Sequence, residues 1–144
     1  DKIDIEKDVN IEVLWPNSKK VISENIINNN SLVFKINYKK FSILFTGDIE
    51  EIAEKKILEE NKNTLKSTIL KVAHHGSKTS TTSEFLKAVN PQYALIGVGK
   101  NNKFGHPSEN TIRKLKEKNI RIYRTDELGE ITIKLNKNIN IVHN

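Results

Sequence analysis

Ile43-Leu44-Phe45-Thr46-Gly47-Asp48 and Leu70-Lys71-Val72-Ala73-His74-His75-Gly76-Ser77 share one design. Each is a short apolar run that stops at a glycine turn carrying a carboxylate or imidazoles. Runs of this length, bounded by turn residues, read as strands. In α/β proteins, chemistry collects outside the carboxyl ends of strands, where loops from separate strands converge. The neighbouring sequence fits that class. Residues 11–15 form an apolar run closed by Pro16 and a polar loop, and Asn28-Asn29-Asn30 lies in a stretch that favours turns. Leu32, Phe34, Ile36 and Tyr38 alternate with other residues at period 2, so 31–38 and 41–46 read as strands joined at Lys39-Lys40. The second is nearly continuous apolar, as in a strand covered on both faces.

Helical spacing takes over after Asp48. Ile49, Ile52, Ala53 and Ile57 share one side, with Glu50, Glu51, Glu54, Lys55 and Lys56 largely on the other. A strand over 69–73 leads into the two histidines. A short helix over 83–89 capped by Ser83, a strand over 93–98, and a helix over 108–119 beginning behind Pro107 follow. Residues 121–124 and 130–135 read as a closing hairpin, and the polar tail over 136–144 as frayed. No repeat or linker divides the chain, so 1–144 reads as one unit of mixed α/β class.

Composition narrows the function. The chain has 144 residues, and no apolar run approaches the 18 or more needed for a membrane span. Without cysteine, it has no disulfide, thiolate metal site or thiol nucleophile. It begins at Asp1 and contains no methionine, which suggests a processed chain or a piece of a longer one. Ile, Lys and Asn supply 59 residues, so a single Asn or Lys carries little weight. The net charge of +6 lies wholly in residues 74–144, where 12 Lys and Arg face 6 acids. A basic half favours a polyanionic partner such as nucleic acid or anionic lipid.

Asp48, His74, His75 and His106 carry the chemistry that remains. An aspartate and imidazoles at strand ends suit Zn²⁺, Mn²⁺ or Fe²⁺. Asp48 at a helix start also reads as a cap, and His106 before Pro107 as a capping residue. Adjacent imidazoles in a Gly/Ser turn gain a core nothing, which favours a site role for His74 and His75.

The two runs quoted first, together with Gly97-Val98-Gly99-Lys100-Asn101-Asn102-Lys103-Phe104-Gly105-His106-Pro107 and Tyr123-Arg124-Thr125-Asp126, resemble the metallo-β-lactamase-fold domain of ComEC-type competence proteins. The likeness runs from about Val13 to Leu135. It implies an αββα sandwich of two αβ halves with the site along the sheet edges. Such domains take most metal ligands from an HxHxDH-type motif, HxDxDH in the competence branch. That motif is not in this sequence, so the resemblance implies the C-terminal half of the domain, without about 100 preceding residues. Where the family has a further histidine, Asn29-Asn30-Ser31 stand, which are poorer ligands.

The resemblance further implies Asp48 and His75 as metal ligands, with His74 beside the substrate. The metal, Zn²⁺ or Mn²⁺, would lower the pKa of a bound water from 15.7 towards about 7 for attack on phosphorus. His74 or His106, with Lys78 or Lys100, would stabilise the phosphoryl oxygens, and Ser77 would contact substrate. DNA taken up in competence is the implied substrate. The parent would be an integral cell-membrane protein with this domain at the extracellular face, and the fragment itself would be soluble. There is no aromatic ladder: only Phe104 and Tyr123 are suggestive, so base stacking of single strands is not supported. The alternatives are an inactive module for DNA guidance or docking, and a hydrolase of small phosphodiesters. Half a sandwich would also leave a sheet face open, including some of Leu32, Phe34, Leu44 and Ile69, and would self-associate through it.

Overall fold

A computed structural model of the chain describes residues 2–16 and 21–143. The polar loop expected after Pro16 lies mostly in 17–20, outside the described residues. The chain order is β1 (Lys2–Glu6), β2 (Val9–Trp15), α1 (Ile26–Asn29), β3 (Val33–Tyr38), β4 (Phe41–Phe45), α2 (Glu51–Asn61) and β5 (Ile69–Lys71). A 3-10 turn (Ala73–Gly76), α3 (Ser83–Val89), β6 (Tyr93–Ile96), α4 (Glu109–Glu117), β7 (Arg121–Arg124), α5 (Thr125–Leu128), β8 (Ile131–Leu135) and β9 (Ile139–His143) follow. The mixed α/β class expected from the sequence is what is found.

β1 to β7 form one sheet in chain order, and β8 and β9 form a separate hairpin. β1 to β4 pair antiparallel; β4 to β7 pair parallel. Each parallel step is bridged by a helix: α2, then α3, then α4. With successive strands as neighbours, right-handed crossovers place all three helices on one face. The core agrees, joining Val33, Leu44, Leu70, Ala94 and Ile96 of the sheet to Ile49, Ala53, Ile57, Phe85, Leu86 and Leu115. α3 starts because the Thr82 side chain accepts from Phe85 N, and α4 because Ser108 accepts from Thr111 N. The cap of α3 is therefore Thr82 rather than Ser83, and Pro107 precedes the cap of α4.

The opposite sheet face is also apolar. Phe34 pairs with Phe45, Ile36 with Ile43, Ile43 with Ile69, and Lys71 with Leu95. The Phe34 and Phe45 rings stack at 4.8 Å. Ile69 is fully buried there, but Phe34, Ile36, Ile43, Phe45 and Leu95 are only half-buried. β4 is thus covered fully on one face only, contrary to its all-apolar reading. Leu44 belongs to the helix-covered face, so it is not part of the open one.

Three further expectations change. The asparagine stretch contains the short helix α1. Arg121–Arg124 joins the main sheet beside β6 instead of pairing with the segment after it, because Tyr93 to Ile96 offer a parallel edge. The polar tail from Asn136 pairs as β9, with Ile133 opposite Ile141 and Leu135 opposite Ile139. The alternation Ile139, Ile141 between asparagines was its strand signal.

Candidate functional site

β4 ends at Phe45, and the next residues are clamped to β5. Thr46 is buried and its hydroxyl donates to Lys71 O at 2.6 Å. Gly47 has φ +52°, and a Cβ there would lie 2.6 Å from Ser31 Cβ, so only glycine fits. Buried Ile49 then anchors the chain, leaving Asp48 half-exposed on the tip of the turn.

The histidine turn is held more tightly still. His74, His75 and Gly76 all have positive φ, at 47°, 53° and 82°. Two consecutive non-glycine residues in that region cost on the order of 1–3 kcal/mol each and persist only where neighbours over-determine them. The neighbours here are specific. His74 N donates to Gly47 O at 3.0 Å, Ser77 N to His74 O at 2.8 Å, and Ser108 N to Gly76 O at 2.9 Å. Thr111 Oγ1 donates to Ser77 O at 3.0 Å. A Cβ on Gly76 would meet Pro107 Cβ at 2.6 Å. The turn is fixed from β4 on one side and from α4 on the other.

This fixing separates the two imidazoles. His75 Nδ1 lies 2.5 Å from Gly97 O. A carbonyl only accepts, so in the neutral ring the proton sits on Nδ1 and Nε2 keeps its lone pair. Nε2 faces Asp48 Oδ1 at 3.6 Å. That is too long for a hydrogen bond. It is close to the separation of about 3.3 Å between two donors that each bind one tetrahedral metal at about 2.0 Å. A backbone carbonyl on the far nitrogen is also how metal-binding histidines are oriented.

His74 points the other way. Its Nδ1 is buried without a hydrogen bond among the described residues and lies 3.4 Å from Glu50 Oε1. Its ring meets that of His106 edge-on at 5.6 Å. Glu50 is itself fixed, accepting from Thr79 Oγ1 at 2.9 Å and from Asn25 Nδ2 at 2.8 Å. His106 is placed by Asn102, which accepts from His106 N at 3.0 Å and donates to His106 O at 2.8 Å. Burial, and then the charges of His74 and His75, hold the His106 pKa below its usual value; Asp48 opposes them.

Among the seven residues singled out from the sequence, Asp48, His74, His75 and His106 therefore converge. Lys78 and Lys100 are exposed on flanking loops. Ser77 is buried, and its hydroxyl pairs with Thr79 Oγ1 at 3.0 Å within its own turn. Asn29 and Asn30 are fully engaged. Asn29 accepts from Glu50 N and donates to Glu24 O; Asn30 accepts from Ile22 N and donates to Ile22 O and Ile26 O. They serve as struts, whereas Ser31 borders the Asp48 turn through its contact with the Gly47 position. Among the described residues, no three His, Cys, Asp or Glu converge as a metal needs. Asp48 and His75 fit as a pair of ligands, not as a full set.

Three site residues escaped the sequence reading. Glu50 was grouped with the polar helix face, and the Gly97 carbonyl has no side-chain signal. Lys71 lies on the open sheet face at the end of β5, with Nζ donating to Val72 O at 2.9 Å. Burial lowers its pKa and the Asp48 charge opposes that. A lysine in an apolar strand was the available signal.

The last stretch of the resemblance, 123–126, is structural. The Thr125 hydroxyl accepts from Val98 N at 2.8 Å and so fixes the strand end next to Gly97. Arg124 grips Asp126 with two bonds, at 3.0 and 2.6 Å.

The chain is 38% identical over 125 residues to ComE operon protein 3 of Bacillus subtilis (strain 168), a match covering 87% of the chain. It is 32% identical over 129 residues to competence protein ComA of Neisseria gonorrhoeae, covering 90%. The chain is a homologue of the ComEC-type competence proteins. Recombination protein 2 of Haemophilus influenzae (strain ATCC 51907 / DSM 11121 / KW20 / Rd) is also similar, 34% identical over 107 residues. The matches span only 16%, 18% and 13% of these three ComEC-like relatives, respectively. No protein-family model matches the chain.

Proposed function

We propose that this chain is the C-terminal half of a metallo-β-lactamase-like hydrolase domain that cleaves phosphodiester bonds of DNA during natural competence. The observation that carries the reading is the His75 ring, held with Nδ1 against Gly97 O and presenting Nε2 to Asp48. The half-buried apolar face of the sheet supports it, being the surface that a second αβ half would cover. The remaining ligands would come from a preceding HxDxDH-type segment of a longer parent. That parent is read as an integral cell-membrane protein displaying this domain outside the cell. No helix of the chain, among the described residues, is long and apolar enough to cross a membrane.

Asp48 and His75 would hold a divalent cation, Zn²⁺ or Mn²⁺, which supplies Lewis acidity and an activated water when bound. His74, facing Glu50, and His106, whose backbone Asn102 holds, stand beside that pair and would stabilise charge on phosphoryl oxygens. Lys71 adds a positive charge beneath them, and Lys78 and Lys100 steer the substrate from the rim. Phe104 is exposed against the His106 ring at 5.8 Å and offers one apolar surface to a nucleotide.

Nuclease assays test this reading. The parent should cleave DNA only with added metal, and Asp48→Ala and His75→Ala should each abolish turnover. This chain alone, with two ligands, should be inert with Mn²⁺ or Zn²⁺. Metal-dependent cleavage by this chain alone, or an active Asp48→Ala parent, would contradict it. The two-ligand count favours one other reading, a non-catalytic module that guides DNA. A metal-free, inactive parent that still binds DNA would establish that instead.

A further inference from the structure

The opposite end of the sheet holds a second charged feature. Two adjoining crevices of about 290 and 490 Å³ open at the amino ends of β4, β5, β6 and β7, away from Asp48 and the histidines. Lys66, Asn90 and Gln92 line both, so the two share a wall. Lys40 stands on one side, and Lys118 and Arg121 on the other. Among the described residues, no carboxylate lines either one. Among the described residues, the Lys66 and Lys118 side chains have no ion-pair or hydrogen-bond partner. Arg121 lies over the Tyr93 ring at 5.6 Å, and Lys40 over that of Phe41 at 5.2 Å.

The floor is rigid. Ser42 N donates to Thr68 Oγ1 and Thr68 N to Ser42 Oγ, both at 3.2 Å. Backbone bonds from Gln92 N to Thr68 O and from Arg121 N to Gln92 O lock the next two strand starts together. Four cations held on such a floor without a counter-charge repel one another, and a run of phosphates removes that repulsion. The Asn90 and Gln92 amides add hydrogen bonds to phosphate oxygens without selecting a base.

We propose that this crevice is a second nucleic-acid site, which binds the phosphodiester backbone without regard to sequence. Nucleic acid is favoured over an anionic membrane because none of the large exposed apolar side chains lines the crevice. A membrane-binding surface pairs basic residues with such side chains. The site is independent of the hydrolytic reading, since it shares no residue with the Asp48 turn.

Anisotropy of a labelled 20-nucleotide DNA, single- and double-stranded, tests it with this chain at several salt concentrations. Lys66→Gln/Lys118→Gln should weaken binding roughly tenfold at low salt and lower the salt slope by about two. Lys134→Gln/Lys137→Gln, with the same charge change on the β8–β9 hairpin, should leave both nearly unchanged. Equal losses in the two pairs would reduce the effect to net charge and overturn the site. So would unchanged binding in the Lys66/Lys118 pair, or binding only to phosphatidylcholine vesicles containing phosphatidylserine. Lys78→Gln/Lys100→Gln reports separately on the histidine end, so failure of one site is distinguishable from failure of the other.

Discussion

The His106 ring sits among charges of both signs, edge-on to His74 and beneath Phe104. Burial and the other two imidazoles depress its pKa below the usual 6.5, and only Asp48 raises it. Folding therefore disfavours protonated His106. Its contribution to stability is present above the unfolded pKa and is lost as pH falls through the lower, folded value. NMR titration of the metal-free chain should give a His106 midpoint below 6.5, and Asp48→Asn should move it lower still. A midpoint above 6.5, or an upward shift in Asp48→Asn, would contradict the placement of these groups. At this scale the sequence singled out Asp48, His74, His75 and His106, which the fold brings together, but not how the two adjacent histidines are turned apart. That separation rests on the Gly97 carbonyl, 22 residues from His75 and silent in any residue pattern.

Glu54 shows how an element is tied to the site. Helical spacing put it on the solvent side of α2, yet it is fully buried. Its carboxylate accepts from Thr81 N at 2.5 Å and Thr82 N at 2.8 Å, just where the histidine loop enters α3. Burial raises its pKa, and the Thr82 and Thr81 bonds, with Lys114, oppose that. Lys114 of α4 donates to Ser80 O at 3.3 Å and to Thr81 O, closing the loop from the other side. Glu54→Ala leaves the buried Thr81 N–H and the part-buried Thr82 N–H unpaired and should cost about 3 kcal/mol. Chemical denaturation measures this; a loss under about 1 kcal/mol would mean the loop is held without it. The parallel strands and their helices were legible because short apolar runs ended at turn residues and gave way to 3.6-residue spacing. Glu54 was not, because a buried acid follows the spacing of a surface one. β7 was misassigned for a related reason, since strand pairing depends on an edge distant in sequence.

For the molecule as a whole, the open sheet face has the largest physical consequence. Phe34, Ile36, Ile43 and Phe45 form an apolar surface opposite the helices, Leu95 lies beyond Lys71 on the same face, and Ile3 and Ile5 of β1 add exposed apolar area. The chain alone should cover this face by self-association, with light scattering at high concentration giving at least a dimer mass. A clean monomer would count against the missing second layer. The central claim, though, is that Asp48 and His75 are ligands of one metal in the parent protein. Metal analysis of purified parent variants tests it most directly. Asp48→Ala and His75→Ala should each lower bound metal sharply, the double variant should be hardly worse than either, and Lys100→Ala should retain it. Full metal occupancy in both single variants would contradict the assignment.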